Sequence, residues 1–202
     1  MLINKDTKIY ASFSNNPGNN GCLFFNKKFK KHKINAIYKS FYSDNLKKSI
    51  EAVKSLNISG FALSSPFKVE ILNYVDEIDD VCLEIGSANT VINLNGYLKA
   101  YNTDWVGVEK FLRYNFNHLT ILGDGGFSKS VQYVCKQKKI SFDLITRKNW
   151  DLLNDVHGYI FNATPIEVKT SSILIDARPF TIEGKKIAKL QAEEQFKIYT
   201  KI

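Results

Sequence analysis

The sequence predicts an α/β protein in two parts, and three observations carry that prediction. Between Lys8 and Leu63, strand-like and helix-like patterns alternate in the order β-α-β-α-β, which argues for a parallel sheet. Between Leu119 and Lys138, a short apolar strand runs into a glycine-rich turn and then a helix. At 202 residues the chain has room for one large domain or two small ones.

The elements follow in order. Lys8 to Ser14 alternates as a strand does, and Asn15 to Gly21 is a loop by composition. Phe25 and Phe29 then share one helical face, with lysines on the other. Asn35 to Phe41 reads as a second strand. Asp44 is a suitable helix start, followed by a stripe of Leu46, Ile50, Val53 and Leu56. Ile58 to Leu63 is nearly all apolar, as a strand buried on both faces should be. Val69 to Val75 and Val81 to Ile85 read as short helices, the second stopped by Gly86. Thr90 to Ile92 and Tyr97 to Ala100 flank Asn95-Gly96, a strong two-residue hairpin signal. Trp105 to Phe116 reads as a helix. Leu119 to Leu122 is a strand, Gly123 to Gly126 a turn, and Phe127 to Lys138 a helix with Val131 and Val134 inward. Ser141 to Ile145, Tyr159 to Ala163 and Ile173 to Ala177 read as strands, and Lys185 to Thr200 as a final helix.

Composition narrows the class. A hydrophobic content of 44% suffices for a packed core, and no apolar run approaches the about 20 residues a membrane span needs. The N-terminal stretch carries charges and lacks the apolar segment of a secretory signal. Cys22, Cys82 and Cys135 are far apart and odd in number, so no metal site or disulfide framework is indicated, and a reducing cytoplasm is expected. Cys82 and Cys135 fall on helices and read as buried small hydrophobes. The net charge of +8 raises nucleic acid as a partner. Yet the lysines are spread along the sequence, and the run from Lys27 to Lys33 has one aromatic and no Arg, which reads as a solvated helix face. A basic surface also suits anionic small molecules. His32, His118 and His157 read as surface residues, and Trp105 as core beside the domain junction. Trp150 reads either as a stacking platform for adenine or as surface packing.

The chemistry concentrates in three places. A strand, glycine turn and helix in succession bring free N–H groups and the positive end of a helix dipole to a pyrophosphate. Gly123 and Gly125 allow the tight turn and close backbone approach, Gly126 and Phe127 open the helix, and the third glycine position is Ser128. Asp124 must point outward there, since a carboxylate inside the turn would repel the anion. The next strand ends at Thr146-Arg147, 24 residues after Gly123, where an NAD-specific fold places an acid. Arg147 and Lys148 at that point favour the 2′-phosphate of NADP(H). Lys68 closes a proline-bearing turn, and Asp104 ends an Asn-Thr-Asp triplet. An enclosed lysine can donate a proton to a carbonyl oxygen that is becoming an alkoxide, and a carboxylate can hold it and share the proton. Together these features suggest a pyridine-nucleotide oxidoreductase.

The short motifs carry a more specific signal. They are Ser64-Ser65-Pro66-Phe67-Lys68, Ile85-Gly86-Ser87-Ala88-Asn89-Thr90, Tyr101-Asn102-Thr103-Asp104, Gly123-Asp124-Gly125-Gly126, Thr146-Arg147, Asn162-Ala163-Thr164-Pro165, and Gly184 with Leu190-Gln191-Ala192. In kind and order they resemble those of the shikimate dehydrogenase family, from end to end of the sequence. The resemblance implies an N-terminal α/β substrate domain over 1–104, completed by a C-terminal helix over 185–202. It implies a Rossmann-type dinucleotide-binding domain over 105–184, with a cleft between the two. It implies NADP-linked reduction of 3-dehydroshikimate to shikimate, with Lys68 and Asp104 catalytic. Ser64, Asn89 and Gln191 would bind ring hydroxyls, and Thr164 and Gly184 would join the cofactor site. The expected partner is a small carboxylate, with no nucleic acid and no membrane, for a monomer or homodimer.

Two departures stand out. The family's Ser-x-Ser carboxylate clamp falls near Asn19-Asn20-Gly21, where both serines are absent, leaving Asn19 as a substitute donor. Ser12 and Ser14 lie nearby but fit the preceding strand. The altered loop resembles that of the shikimate dehydrogenase-like subgroup. The nucleotide domain is also short, with about four strands, room for one short helix between Arg147 and Asn162, and no helix between Pro179 and Gly184. Glu167-Val168 replaces the family's Gly-Met. Three functions therefore compete: an NADP-dependent dehydrogenase of shikimate, quinate or a related cyclic polyol acid, a degenerate binding protein that keeps the cleft without efficient turnover, and a basic nucleic-acid module.

Overall fold

The computed structural model describes residues 3–112 and 116–202. Arg113, Tyr114 and Asn115, on which the end of the expected 105–116 helix falls, lie outside the described residues. The protein forms two compact units, Met1–Asn102 with Gln195–Ile202, and Thr103–Glu194.

The first unit is built on β1 (Lys8–Ser14), which lies parallel to β2 (Ala36–Tyr42) on one side and to β3 (Gly60–Leu63) on the other. The crossovers are α1 (Asn20–Lys31) and α2 (Leu46–Ser55). After β3 the backbone runs through α3 (Phe67–Glu70), a 3₁₀ turn (Ile71–Asn73), β4 (Glu77–Ile78) and α4 (Asp80–Ile85). It then makes the hairpin of β5 (Thr90–Leu94) and β6 (Tyr97–Tyr101). β5 pairs antiparallel with β3, so the sheet is mixed rather than parallel throughout, in the order β2-β1-β3-β5-β6-β4. The hairpin turns on Asn95 and Gly96, both at positive φ (54° and 98°), the conformation that selects Asn-Gly. Gly86 caps α4 in the left-handed region at φ 70°.

Side chains lock these elements together. Phe25 and Phe29 are buried against the sheet, and Phe25 stacks on Tyr38 at 4.5 Å. The Asn26 amide accepts from Tyr38 N–H (2.8 Å) and donates to Tyr38 C=O (2.9 Å), fixing α1 to β2. Lys27, Lys30, Lys31 and Lys33 are exposed, as a solvated face requires. Beneath the opposite face of the sheet, Leu46, Ile50 and Val53 join Phe13, Phe61 and Leu63 in a continuous core. The cap of α2 is Asn45, whose Oδ1 accepts from Lys48 N–H at 3.0 Å, and not the expected Asp44. Leu56 does not extend the buried stripe as its spacing predicts, because the helix ends at Ser55 and Leu56 is 68% exposed.

The second unit begins with α5 (Asp104–Phe111) and holds β7 (His118–Leu122), α6 (Gly126–Gln137) and β8 (Ser141–Ile145). A 3₁₀ segment (Trp150–Asp155), β9 (Tyr159–Asn162) and β10 (Ile173–Asp176) complete the sheet. Its described strands are all parallel, in the order β10-β9-β7-β8, a reduced Rossmann-type sheet. Leu122, Ile145, Ile160 and Val168 form a core against which Trp150 packs. Val168, one of the two residues in place of Gly-Met, is thus structural. Trp105 is half-buried, edge-on to Tyr133 at 5.6 Å, rather than fully core. Cys82 and Cys135 are fully buried, and burial pushes the Cys135 thiol up to about 11. His118 is not merely solvated: its Nε2 lies 3.2 Å from the Asp143 carboxylate, and its Nδ1 2.9 Å from Ser141 Oγ.

The last helix, α7 (Ile182–Thr200), is shared: its residues to Glu194 belong to the second unit, and from Gln195 onward to the first. This differs from the sequence expectation, which assigns all of 185–202 to the first.

Removing the Asn45 cap should cost about 1 kcal/mol. In thermal unfolding, Asn45→Ala is expected to lower Tm by about 2–4 °C, whereas Asp44→Ala should leave it nearly unchanged.

Candidate active site

In the first unit, backbone hydrogen bonds gather the predicted substrate motifs at one end of the sheet. Phe67 N–H donates to Ser64 C=O (3.0 Å), closing the turn that puts Lys68 in the first turn of α3. Ser64 is exposed and Lys68 half-buried. Lys68 C=O accepts from Ala88 N–H (2.7 Å), and Asn89 C=O accepts from Leu63 N–H (2.9 Å). Asn89 N–H donates to Tyr101 C=O (3.1 Å), and the Asn102 amide donates to Ser87 C=O (2.8 Å). The segment carrying Asn89 is therefore tied to the lysine turn on one side and to the Asn-Thr-Asp triplet on the other. Asn89 itself is fully buried.

The boundary between the units falls inside that triplet, so Lys68 and Asp104 belong to different units. Asp104 is fully buried and opens α5, where the helix dipole favours a carboxylate. Further along the second unit, Gln191 is half-buried on α7. A Cβ on Gly107 of α5 would lie 2.8 Å from Ile187 C=O and 3.1 Å from Gln191 Cβ, so the absence of a side chain at 107 sets the approach of α5 to α7.

Asn19, the proposed replacement for the clamp, is exposed and precedes α1 without its side chain accepting a hydrogen bond from the first turn. Ser12 Oγ bonds Ser40 Oγ (3.0 Å), and Cys22 Sγ lies 3.3 Å from that same Ser40 hydroxyl. These groups satisfy one another between the first turn of α1 and the strands.

In the second unit, the predicted cofactor residues assemble at the carboxyl ends of the parallel strands. Gly123 has φ +99°, and a Cβ there would sit 2.9 Å from Thr164 Cγ2, so glycine is required by conformation and by space. A Cβ on Gly125 would meet nothing within 4 Å, which leaves open space over the turn at the N-terminus of α6. Gly126 and Phe127 are the first residues of that 12-residue helix. Ser128 replaces the third glycine because its hydroxyl donates to Gly123 C=O and closes the turn. Asp124 is exposed. Gly123 N–H donates to Ile145 C=O (2.7 Å) and Ala163 N–H to Leu122 C=O (3.1 Å), which puts Thr146 and Thr164 on either side of the turn. Arg147 and Lys148 are exposed. The open cradle, the helix N-terminus and a cationic strand end fit a phosphorylated dinucleotide. Among the described residues no His/Cys/Asp/Glu cluster could hold a metal, and no helix is long and apolar enough to cross a membrane.

Several supporting contacts are not readable in the sequence, although Asn162 stands in one of the motifs quoted above. Asn149 Oδ1 accepts from Thr146 N–H (2.7 Å) and shapes the loop bearing Arg147. Asn162 Oδ1 accepts from both N–H and Oγ of Thr164 (3.0 and 2.6 Å), and its amide donates to Asp176 (3.3 Å). Arg178 clasps Asp176 from Nε at 2.8 Å, and its carbonyl covers Gly184, which is buried. Gln195 donates to Thr90 Oγ1 at 2.8 Å. The polar type of these residues is visible in the sequence, but not which groups they meet.

A model of the shikimate dehydrogenase substrate binding domain matches residues 21–91. A shikimate dehydrogenase-like protein of Haemophilus influenzae is 33% identical over 192 residues, covering 92% of this chain and 70% of that one. The protein belongs to the shikimate dehydrogenase family. The shikimate dehydrogenase (NADP(+)) of Pyrococcus furiosus is likewise 33% identical, over 92% of this chain and 72% of its own length. Among solved structures, a shikimate 5-dehydrogenase-like protein superposes with a TM-score of 0.81 at 28% identity, covering 100% of this chain and 94% of that one. The Aquifex aeolicus shikimate dehydrogenase superposes with a TM-score of 0.81 at 24% identity over 100% of this chain and 95% of its own, a likeness of fold.

Adding a methyl group at the α5–α7 approach should cost about 1–3 kcal/mol of overpacking. Gly107→Ala is expected to lower Tm by several degrees in a thermal melt, and an unchanged melt would contradict the close approach.

Proposed function

We propose that this protein reduces 3-dehydroshikimate, or a closely related cyclic polyol carboxylate, to the corresponding alcohol, with Lys68 and Asp104 handling the proton. As a member of its family the protein is an oxidoreductase of the NADP-dependent dehydrogenase type. The observation that carries the finer reading is the hydrogen-bonded junction of the lysine turn, the Asn89 segment and the Asn102 amide in the first unit.

NADPH, when bound, supplies the hydride. The Lys68 ammonium donates a proton to the ring oxygen as it becomes an alkoxide, and Asp104 orients that ammonium and shares its proton. Ser64, Asn89 and Gln191 hold ring hydroxyls, and Asn19 with the first turn of α1 meets the carboxylate in place of the missing serines. In the second unit, the N–H groups around Gly123, Gly125, Gly126 and Phe127 cradle the pyrophosphate. Thr146 and Arg147 meet the 2′-phosphate, and Thr164 and Gly184 shape the nicotinamide side.

Losing a general acid typically costs about 10²–10⁴ in rate. Lys68→Ala should therefore reduce kcat at least a hundredfold while NADPH still binds, as followed by fluorescence titration. Equal turnover in wild type and variant would refute the Lys–Asp mechanism, and saturable NADPH binding without turnover on any cyclic polyol acid would favour a binding protein.

Arg147→Ser removes a charged hydrogen bond and should raise KM for NADP about tenfold, with KM for NAD nearly unchanged. Equal changes for both cofactors would remove Arg147 from the 2′-phosphate site.

A further inference from the structure

Gln195 lies on the last turns of α7, is 3% exposed and takes no part in the proposed reaction. Its side-chain nitrogen donates to Thr90 Oγ1 (2.8 Å) and, more weakly, to the backbone carbonyl of Asn89 (3.4 Å). Thr90 Oγ1 in turn donates to Asn89 Oδ1 (2.9 Å). All of these groups belong to the first unit and are buried.

The direction of this relay follows from the chemistry of its ends. A backbone carbonyl can only accept, so the Gln195 atom facing it is the nitrogen. The same NH₂ group reaches Thr90, so the threonine hydroxyl accepts there. That hydroxyl has one proton, which is left for the Asn89 side chain. The Asn89 atom that accepts it is the oxygen, which puts the NH₂ of Asn89 on the other side of the amide. Without this constraint, the two ends of an Asn amide are close to interchangeable in shape, and a flip reverses donor and acceptor. Buried networks of this kind hold one arrangement because an unmatched polar group costs more in a low-dielectric interior.

We infer that Gln195 is a positioning residue that acts through Thr90 to fix the Asn89 amide with its NH₂ as the reading group, so that the substrate group held by Asn89 is selected as a hydrogen-bond acceptor. The inference rests on Asn89 being a substrate contact. Gln195→Glu keeps size and shape but replaces the donor with an acceptor, which turns the Thr90 proton away from Asn89. Gln195→Leu and Thr90→Val cut the relay, and Thr90→Ser keeps it.

The test has two readouts on the full-length protein. The first is the ¹⁵N–¹H signal of the Asn89 side-chain NH₂, which needs no substrate. It is expected to shift or broaden in Gln195→Glu, Gln195→Leu and Thr90→Val, and to keep its wild-type position in Thr90→Ser. The second is steady-state kinetics with shikimate and NADP. KM for shikimate is expected to rise about tenfold in the three disrupting variants, with kcat and the KM for NADP within about twofold and Thr90→Ser near wild type. An Asn89 signal that stays put in Gln195→Glu overturns the inference whatever the activity. So does a rise in KM for both substrates alike, which a merely structural role would give. A wild-type protein that is inactive on shikimate, yet whose Asn89 signal moves in the variants, would leave the positioning role standing and strike the proposed substrate instead.

Discussion

Everything assembled in the first unit depends on the antiparallel pairing of β3 with β5. A fourth parallel strand in that place would have to start at the far end of the sheet, taking Asn89 away from the end where β3 stops. Pairing in reverse instead starts β5 at that end, so that Asn89 sits beside Leu63 and the residues that follow it. The hairpin then returns β6 to the same end, where Tyr101 receives Asn89 N–H and Asn102 reaches Ser87. Three stretches, separated by more than twenty residues or joined by a hairpin, become one surface through backbone bonds. Side chains at such a surface inherit the rigidity of the sheet rather than that of a loop.

The second unit works by a different economy of parts. Its sheet retains the central strands that form the glycine turn, the flanking strand that ends in Thr146-Arg147, and the β9 end that leads to Thr164. What stiffens the strand ends is a set of side-chain bonds: Asn149 to Thr146, Asn162 to Thr164, and Arg178 through Asp176 to Asn162. A small sheet buries little area, and satisfied polar networks at its working edge supply the definition that extra layers would otherwise give.

Much of this is legible from residue order. The Phe25–Phe29 spacing marks a helix face because period 3.6 is a local property, and Asn95-Gly96 marks a hairpin because few residues tolerate positive φ. The strand–glycine–helix unit at 118–137 is equally readable, including the substitution at Ser128, whose purpose appears only with its bond to Gly123. The misses share a cause. Asn45 outcompetes Asp44 as a cap by one residue of backbone geometry, and β4 has two residues and no periodicity to detect. The mixed sheet order is not readable because pairing direction is decided by where a connection ends. Gln195 looks like an ordinary polar residue until its distant partners are in place, and what Asn162 does within its motif appears only with its bonds to Thr164 and Asp176.

The division of α7 bears on the order in which the molecule is made. The second unit is one continuous stretch, Thr103–Glu194, and can collapse as soon as it leaves the ribosome. The first unit cannot. Its aromatic cluster includes Phe196, which packs on Phe29 at 5.8 Å, and Tyr199, which packs on Tyr10 at 4.7 Å and accepts that tyrosine's hydroxyl proton at its carbonyl (2.9 Å). During synthesis, the unit that emerges first must wait, with Tyr10, Phe25 and Phe29 incompletely covered, for residues that arrive after the whole of its neighbour. Of the two sheets, the one made earlier is therefore the last to be finished.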